Sequence, residues 1–534
     1  MWYNVVTMYV AIRHKTQNGK TYTSAQIVEG YREGSKVRQR TLLDISRLPM
    51  DKILAVKAAL QGKAIVDWDS LEGIEAKDFG LPWVVKSILE QSGVRELLGE
   101  EGRGFWPTVV AMVANRIDSP CSKYSLRHWA GNTLLDEILD VDGDKAFSHK
   151  TCYAALDFLA EHQEEIEAGL FEKRPSTPRL ILYDITSTYF EGRKAHGAKY
   201  GYSRDHRRDR LQIVIGFVTD ATGMPVSVEV FDGNARDSST VKRQIDKVKK
   251  RFGVEHACFI GDRGMRTTAN IEKLKEEGLE FILALKHSEV LQLVEKHGPV
   301  QMGLFDKRDI AEVEIDGRRL VVCWNPVAGE DTKRRREELI SLTRDGLQKI
   351  ATRVNKGRLK NPAAIQKAAD RVFAKWKMEK FFSLTIVPGS FGFALNEEVL
   401  RAAERLDGVY VLETNVPVSE MAGDEVRDNY KRLQLVERAF RYLKTDLQIR
   451  PLFHWKESRI KGHVFVCFLA YLVEHQMQVA LKDLEEAPTW DEVVAGLRAW
   501  RKIRVPGKPT LRALDAGLTQ YTTRWLDLWQ VARC

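Results

Sequence analysis

The first residues show a pattern of alternating polar and apolar positions typical of β-strands. Three stretches alternate polar residues with Val, Thr, Tyr and Ile, at residues 4–13, 21–32 and 36–44. Two dipeptides common in tight turns separate them, Asn18-Gly19 and Glu33-Gly34. The pattern predicts a small three-stranded β-meander over residues 1–48. From residue 49 to 175 the apolar residues instead recur every three or four positions, as in DKILAVKAALQGK, which predicts a helical region.

At Pro178 the pattern changes to that of an α/β domain. The continuous apolar run from Leu180 to Tyr183 stops at Asp184, which predicts a central strand that is buried on both faces and ends there. Further strands are predicted at residues 211–219, 225–231, 257–260 and 281–285, with helices at residues 238–251 and 268–278. Three strands followed by alternating helices and strands is the order of an RNase H-like α/β core, so we expect this fold over residues 176–286.

A helix predicted from Tyr430 to Lys444 organises the later part of that core. Its apolar residues recur at steps of three and four and form one buried stripe: Leu433, Val436, Phe440, Leu443 and Leu447. Tyr430, Glu437 and Lys444 lie seven residues apart, which places them in a row beside the stripe. With a strand predicted at residues 409–414, this helix completes the core over residues 406–450.

Residues 287–405 interrupt the core. Between Lys333 and Lys380 there are 15 Lys or Arg residues against 5 Asp or Glu, so this block has a formal charge of +10 while the whole chain has +9. The block has two interpretations, a helical hairpin with a solvated charged face or a surface that binds a phosphate backbone. Residues 451–534 are predicted to be helical, with a capping box that begins at Thr489.

Length, charge and cysteine content limit the class of protein. A chain of 534 residues is too long for a single core. The net charge of +9 and the pI near 9.0 favour a polyanionic partner, with nucleic acid first and an anionic membrane surface second. Six scattered cysteines without a CxxC pair, no amino-terminal signal pattern, and an apolar run at residues 464–473 that is half a membrane span indicate a soluble intracellular protein.

Two of the predicted regions leave a DNA-binding role open. The cations of the β-meander could follow phosphates, and they could equally block pairing at the edge of a short exposed sheet. The helical region over residues 49–175 contains no clear helix-turn-helix pattern. It therefore fits a DNA-end-binding region and a helical spacer equally well.

Three carboxylates are candidates for chemistry: Asp184 and Asp262, each after an apolar run, and Glu437 on the predicted helix. Mg²⁺ prefers oxygen ligands and keeps several waters, so two or three converging carboxylates can hold a pair of ions on a scissile phosphate. Taken alone, an Asp after a strand is also typical of a turn or cap. A phosphohydrolase with Asp184 as nucleophile is an alternative, although Thr186 stands where such enzymes usually have a second Asp. The sequence has no GxxxxGK[ST], GxSxG or HExxH motif.

Three runs around these carboxylates carry a family resemblance. YDITSTYFEG around Asp184, FIGDRGM around Asp262, and Tyr430 followed by VERAFRYLK resemble the three catalytic blocks of DDE transposases from bacterial insertion sequences. The similarity is greatest to the insertion-sequence-four superfamily, whose third block has Tyr, Arg, Glu and Lys at fixed spacing and whose catalytic domain is interrupted by an insertion. Here the Arg position of that block is Leu433, and Arg432 lies one residue away.

The resemblance implies cut-and-paste movement of a DNA element. Asp184, Asp262 and Glu437 would be the metal ligands for two Mg²⁺ ions, with Mn²⁺ as a possible substitute. A water would cleave at the element's end, and the 3′-hydroxyl released would attack target DNA. The implied partners are double-stranded DNA and a second copy of the chain in a synaptic homodimer, without a membrane, and the implied location is the cytoplasm at the nucleoid. A nuclease without strand transfer and a non-catalytic DNA-binding descendant remain alternatives.

Candidate DNA contacts fall in four places. Tyr430 and Lys444 match the third block, while Arg432 and Arg441 lie on the same predicted helix. Arg263 follows the second Asp. The basic loop after the first Asp provides Arg207, Arg208 and Arg210, although its acidic residues Asp205 and Asp209 also fit a solvated, self-paired turn. The insertion provides Lys333, Arg334, Arg335 and Arg336.

Overall fold

The computed structural model describes residues 7–17, 20–33, 36–63, 75–297, 310–504 and 515–532. The predicted turn at Asn18-Gly19 and the glycine of the turn at Glu33-Gly34 lie outside the described residues. The chain divides into two units, one formed by Met1–Ala76 with Ile503–Leu514 and the other by Lys77–Lys502 with Asp515–Cys534.

The described part of the first unit contains the predicted β-meander and a helix. Its elements are β1 (Thr7–Gln17), β2 (Lys20–Glu33), β3 (Lys36–Asp44) and α1 (Met50–Leu60). The three strands pair antiparallel in chain order. Alternate side chains of a strand point to the same face, and Val10 and Ala25 accordingly pack with Ile45, which follows β3, and with Ile53 of α1 in a small core.

The second unit begins with a helical region, as predicted. It follows β4 (Glu75–Asp78) and consists of α2 (Gly80–Gln91), α3 (Val94–Leu97), α4 (Gly99–Gly102), a 3₁₀ turn at Arg103–Phe105, α5 (Trp106–Asp118), α6 (Leu126–Gly131), α7 (Leu135–Leu139), α8 (Gly143–Ala146), α9 (His149–Glu161) and α10 (Gln163–Glu172). α5 is buried along almost its whole length because its sequence WPTVVAMVANRI is apolar on every side.

The α/β part of the second unit follows in chain order. Its first half contains β5 (Leu180–Tyr189), β6 (Gln212–Asp220), β7 (Pro225–Asp232), α11 (Asp237–Asp246) with a π-helical turn at Lys247–Arg251, β8 (Cys258–Gly261), α12 (Thr268–Glu276), β9 (Glu280–Ala284) and α13 (His287–His297). The middle contains β10 (Ile310–Ile315), β11 (Arg318–Trp324), α14 (Pro326–Asn355), α15 (Pro362–Trp376), a 3₁₀ turn at Glu379–Phe381, β12 (Phe382–Val387), β13 (Ser390–Leu395) and α16 (Glu397–Glu404). The last part contains β14 (Val409–Thr414), α17 (Gly423–Lys431), α18 (Leu433–Thr445), α19 (Glu457–Leu481), α20 (Trp490–Ala499), β15 (Arg501–Arg504), β16 (Asp515–Ala516) and α21 (Gln520–Leu528).

A mixed sheet lies at the centre of this unit. Within the described residues it has eight strands in the order β10-β11-β14-β9-β8-β5-β6-β7. β8 pairs parallel with β5 and with β9, and the remaining neighbours pair antiparallel. The strand predicted at residues 409–414 is β14. It joins this sheet between β9 and β11, which brings the part of the chain after residue 405 back to the first half of the core.

β5 is longer than the sequence predicted. The apolar run ends at Asp184, but the strand continues to Tyr189, so the expectation that it ends at Asp184 is wrong. The reason is that Ile185 and Thr188 are buried and the strand keeps its antiparallel register with β6 as far as Tyr189, paired with Gln212. Asp184 therefore lies in the middle of a strand and not in a turn.

The two faces of the sheet are covered by different helices. On one face, Tyr183 and Ile185 pack in a core with Val241 and Ile245 of α11 and Leu274 of α12. Asp184 points to the opposite face because successive side chains of a strand alternate. On that face Phe217 of β6 contacts aromatic rings of the later helices: Phe440, Phe468 and Tyr471.

The helix predicted from Tyr430 to Lys444 is divided into two. α17 ends at Lys431 and α18 begins at Leu433, with Arg432 between them. Arg432 keeps helical backbone angles, and its carbonyl accepts from the Leu435 amide at 2.8 Å, a three-residue step. The predicted apolar stripe is confirmed, because all five of its side chains are buried.

Residues after β11 form a helical hairpin, which we define as α14 and α15. The two helices and the β12-β13 ribbon share a separate core that includes Leu347, Ile350, Ile365, Phe373 and Phe391. The cations between Lys333 and Lys380 lie mainly on the outer surface of this core, as the hairpin interpretation predicted.

α19 is the central helix on the side of α18. It is long and apolar enough to cross a bilayer, but 72% of its apolar window is buried inside the protein, as in the core helix of a globular domain. The capping box predicted at Thr489 is confirmed: the Thr489 side chain accepts from the Glu492 amide, and the Glu492 carboxylate accepts from the Thr489 amide at the start of α20.

Candidate active site

Asp184 and Asp262 are brought together by the parallel pairing of β5 and β8. Tyr183 is the register partner of Gly261. The two Asp residues each come one position later, so they lie on neighbouring strand positions, where backbones are roughly 5 Å apart. β8 ends at Gly261 while β5 continues, and Asp262 therefore stands at the open end of a strand beside the middle of its neighbour.

Glu437 reaches the same place from the helix above the sheet. Asp184 is the register partner of Phe217. The Phe217 ring lies 5.9 Å from the ring of Phe440, which is three residues after Glu437 on α18. This aromatic contact places the Glu437 segment of the helix over the strand that carries Asp184.

The three acids line one cleft of about 520 Å³. We call it the carboxylate cleft. Its other polar lining residues are Arg263, His287, Asn325, Tyr410, Tyr430, Lys431 and Gln434. Residues separated by more than 250 positions in the sequence thus share one concave surface, which is the usual form of a catalytic site.

The electrostatics of the cleft are unfavourable for three negative charges. Burial raises the pKa of Asp184 to about 7, and the negative charges of Asp262 and Glu437 add to the rise. A hydrogen bond from the Ile185 amide and the positive charge of Arg204 act in the opposite direction. A cation in the cleft would relieve the same repulsion, because an opposite charge favours the ionised carboxylate.

Within the part of the chain that the structure describes, no group of three or more His, Cys, Asp or Glu side chains, the three acids of the cleft included, is arranged so that it could hold a metal ion by itself. Mg²⁺ does not require one. It binds through one or two carboxylates and keeps waters or substrate oxygens in its other positions. The open cleft with three oxygen-donor side chains fits that type of ion and does not fit a closed tetrahedral zinc site.

Tyr430 lines the carboxylate cleft, but Lys444 is not one of its lining residues. Burial raises the pKa of Tyr430, and the charge of Asp262 adds to the rise. Its ring stacks on Tyr410 at 6.2 Å. Lys444 donates to Asp205 at 2.8 Å in a mostly buried ion pair. In the predicted row, Tyr430 and Glu437 therefore line the cleft and Lys444 does not.

The arginines predicted as DNA contacts in this region also differ in whether they line the carboxylate cleft. Arg263 is exposed and lines the carboxylate cleft. Arg432 donates to the Ala221 carbonyl at 3.0 Å and lines a different cavity on the other side of α18, while buried Leu433 occupies the cleft side. Arg441 is exposed near the end of α18.

The basic loop after β5 is partly self-paired, as one interpretation of its sequence predicted. Asp209 is exposed and accepts from Arg207 at 2.9 and 3.0 Å, and its ion pair with Arg210 is 3.3 Å. Arg210 also pairs with Glu191 at 2.8 Å. Arg208 is exposed. Asp205 differs from this pattern because its side chain is only 2% exposed.

Cations of the hairpin region line a second cleft that adjoins the carboxylate cleft. This basic cleft, about 620 Å³, is lined by Arg335, Lys377 and Lys380 and shares four lining residues with the carboxylate cleft: His287, Asn325, Val409 and Tyr410. Lys333 and Arg334 are exposed on α14, and Arg334 pairs with Asp331 at 2.8 Å. Arg336 is buried, and its guanidinium donates to both oxygens of Asp407.

Sequence reasoning missed the residues that connect the acid-bearing elements. Arg204 donates from one guanidinium nitrogen, Nη2, to both carboxylate oxygens of Asp237, each at 3.0 Å. Asp205 accepts from Lys444 and from Arg450. In the sequence these residues belong to runs rich in both charges, where nothing distinguishes a buried acid from a solvated one.

Two family models match the chain. Residues 175–473, more than half of the chain, match the model described as "Transposase DDE domain". The chain therefore belongs to the DDE transposase family, and it is a DNA transposase. Residues 10–67 match the model described as "IS1634 family transposase, N-terminal domain". Together the two matches identify a DDE transposase of bacterial insertion sequences, which confirms the family resemblance of the three sequence blocks.

The other comparisons add little to this assignment. One similar solved structure is a cryo-EM structure of the piggyBac transposase synaptic complex with hairpin DNA. It is 9% identical, with 79% of this chain and 77% of that chain covered and a TM-score of 0.38. At that TM-score the likeness supports no conclusion about this chain. No curated protein matches the chain.

Proposed function

We propose that this transposase cleaves DNA at the ends of its mobile element and joins the released ends to target DNA, in a divalent-metal-dependent reaction at the carboxylate cleft. The observation that carries the proposal is the convergence of Asp184, Asp262 and Glu437 on one cleft from two strands and a later helix. The strand order of β5 to β9 with β14 supports an RNase H-like core over residues 176–286 and 406–450, with residues 287–405 as its insertion.

Asp184, Asp262 and Glu437 are the residues that would hold the metal. When bound, two Mg²⁺ ions, or Mn²⁺ in their place, would lower the barrier at a scissile phosphate by activating the attacking oxygen and stabilising the leaving one. The chain's own part is to fix the acids. The β5-β8 register sets the spacing of Asp184 and Asp262, and the packing of α18 on Phe217 sets the position of Glu437.

The first step is the attack of water on the phosphodiester at the element's end, which breaks the bond to the 3′ oxygen. The second is the attack of that 3′-hydroxyl on a target phosphodiester, with the target's own 3′ oxygen as leaving group. The second step breaks one phosphodiester bond and forms another, so the number of phosphodiester bonds does not change. No side chain needs to become covalently attached to DNA.

The surface around the cleft supports a duplex DNA substrate. Arg335, Lys377 and Lys380 line the basic cleft that adjoins the carboxylate cleft, and Arg263 lies in the carboxylate cleft itself. Cations arranged in this way bind the phosphate backbone without regard to sequence. We include the exposed Lys333, Arg208 and Arg441 as outlying contacts. Arg336 is omitted because its buried guanidinium is already held by Asp407.

Cut-and-paste movement requires both ends of the element at once, so we propose a homodimer on paired ends in the cytoplasm, at the nucleoid.

The first test is cleavage of duplex DNA that contains one end of the element, in the presence of Mg²⁺. Asp184→Asn, Asp262→Asn and Glu437→Gln should each slow cleavage by roughly 1000-fold, equivalent to about 4 kcal/mol of transition-state stabilisation.

Binding of the same DNA should be nearly unchanged in these variants, since the phosphate contacts lie elsewhere. Asp428→Asn is the matched control. Asp428 is an exposed acid on α17 that pairs with Arg427 and does not line the cleft, so this variant should cleave like the wild type. Full cleavage by any of the three cleft variants would remove that residue from the active site.

A further inference from the structure

We propose that the dipeptide Arg204-Asp205 is a positioning element that holds the three acid-bearing segments of the active site together. The inference rests on the proposed function, because it gives these two residues a role in the metal-binding geometry of the carboxylate cleft. Neither residue lines the cleft. They act through β5, the loop after β8, and α18, each of which carries one of the acids.

Arg204 connects the segments of Asp184 and Asp262. Its backbone amide donates to the Ser187 hydroxyl at 2.8 Å, three residues after Asp184 on β5. Its guanidinium binds both oxygens of Asp237. The Asp237 carboxylate packs against the loop that follows β8, since a side-chain carbon at Gly264 would lie 2.5 Å from its Oδ2 atom. Gly264 is two residues after Asp262, so the pair spans both strands.

Asp205 connects the loop after β5, which also carries Arg204, to the segment of Glu437. Its Oδ1 atom accepts from Lys444 at 2.8 Å, and Lys444 is seven residues after Glu437 on α18. Oδ1 also accepts from Arg450, which follows the end of that helix. The Asp205 side chain is 2% exposed and that of Lys444 is 12% exposed. Buried charge-assisted bonds of this kind fix geometry, because breaking one leaves an uncompensated charge.

The sheet register alone cannot supply this connection. It sets the spacing of Asp184 and Asp262, but α18 contacts the sheet through apolar packing, which is not directional, and through the hydrogen bond of Arg432 to the Ala221 carbonyl. The ion pairs of Asp205 with Lys444 and Arg450 add directional contacts between this helix and the loop after β5, and Arg204 ties the same loop to β5 and Asp237. A metal site that takes ligands from three segments depends on such supporting contacts, whose loss typically lowers metal affinity by about 10- to 100-fold.

The test is Mn²⁺ binding by the full chain without DNA, measured from the free-ion electron paramagnetic resonance signal. Arg204→Lys, which shortens the side chain and removes the guanidinium nitrogen that reaches both oxygens of Asp237, and Asp205→Asn, which removes the charge, should each weaken Mn²⁺ binding by about tenfold or more. Affinity for element-end DNA should stay within about twofold of wild type, while the cleavage rate at saturating DNA falls. Asp205→Glu, which retains the charge, should recover part of the loss.

Asp209→Asn is the matched control, because Asp209 lies on the same loop and pairs with an arginine but contacts none of the acid-bearing segments. It should bind Mn²⁺ like the wild type. If Asp205→Asn does not fold, Arg204→Lys and the charge exchange Arg204→Asp with Asp237→Arg carry the test, and the exchange should restore binding lost in Arg204→Asp.

Wild-type Mn²⁺ affinity in Arg204→Lys and Asp205→Asn would overturn the inference, provided that Asp184→Asn and Asp262→Asn weaken binding. If those two cleft variants also bind Mn²⁺ like the wild type, the proposed metal site itself is wrong, and the positioning role is overturned with it. The two failures are therefore distinguishable in one set of measurements.

Discussion

The carboxylate cleft and the helical hairpin use charge in opposite ways. The cleft has a few charges in set positions: its acids come from β5, the end of β8 and α18, and burial raises the pKa of Asp184 to about 7. The hairpin has many charges in loose positions, with 15 Lys or Arg residues between Lys333 and Lys380, most of them exposed over a separate apolar core.

The difference shows which properties depend on geometry and which on density. A metal site fails when one acid moves by about an ångström, because ion coordination is short-range. Binding to a phosphate backbone depends on how many cations face it, since each contributes a similar increment. Single substitutions should therefore have large effects around the cleft and small effects on the hairpin.

The largest effect is expected for Arg266→Met. Arg266 follows the Asp262 loop and is buried, and its guanidinium donates to Glu413 of β14 at 2.8 and 2.5 Å and also to Glu289. Removing it leaves the buried Glu413 carboxylate without its strongest partner, which should lower the free energy of unfolding by about 3–5 kcal/mol. Denaturation by urea, followed by circular dichroism, measures the change.

Arg334→Met on the hairpin gives the corresponding comparison. Arg334 also pairs with an acid, Asp331, but its side chain is 81% exposed. The free energy of unfolding should change by less than about 1 kcal/mol, because solvent already screens this pair. Equal losses in the two variants would contradict the distinction between the two regions.

The second-largest effect is expected in mildly acidic solution, where the free energy of unfolding should fall. Burial lowers the pKa of His454 to about 4, helped by the positive charges of Lys123 and Arg459, and burial also lowers the pKa of His463, whose ring is 5.3 Å away. The unfolded chain binds these protons near pH 6.5, so the unfolded state gains stability as the pH falls from 6.5 towards 4. For His454 alone, the free energy of unfolding should fall by about 2 kcal/mol between pH 7 and pH 5.

The hairpin should not follow this change, since residues 326–405 contain no histidine. Hydrogen exchange at pH 7 and pH 5, corrected for the intrinsic rate, should show increased opening in α19, which carries His463, and little change in α14 and α15. His463→Gln should reduce the acid sensitivity of α19. Equal opening of the hairpin would show that the two regions unfold as one.

The sequence pointed to the acids that line the carboxylate cleft more readily than to the contacts around them. Asp184, Asp262 and Glu437 stand out in the sequence because each adjoins a strong apolar pattern. The end of β5 was misplaced, because its continuation to Tyr189 depends on pairing with β6, which is a tertiary contact. Likewise, Asp205 and Asp209 are equivalent in the sequence, and only the fold buries one of them.

The break between α17 and α18 illustrates the same limit. A uniform periodicity runs through Arg432, so the pattern predicts one helix. The interruption at Arg432 accompanies the hydrogen bond of its guanidinium to the carbonyl of Ala221, a residue more than 200 positions earlier. Local patterns describe which face of a helix is apolar, but they contain no information about such a distant partner.

The smallest effect, and the one that tests the hairpin's part most directly, is expected for Arg335→Gln. Arg335 lines the basic cleft beside the carboxylate cleft, while its neighbour Arg334 does not and is paired with Asp331. If a DNA phosphate lies in the basic cleft, Arg335→Gln should weaken binding by about 1 kcal/mol and reduce the slope of log Kd against log salt by about 1.

Arg334→Gln is the control, and it removes the same charge from the adjacent position of the same helix. A difference in salt slope between the two variants therefore reports the location of the DNA and not the net charge of the hairpin. Equal slopes would mean that the hairpin attracts DNA through its total charge alone. The proposal that DNA lies in the basic cleft would then be wrong.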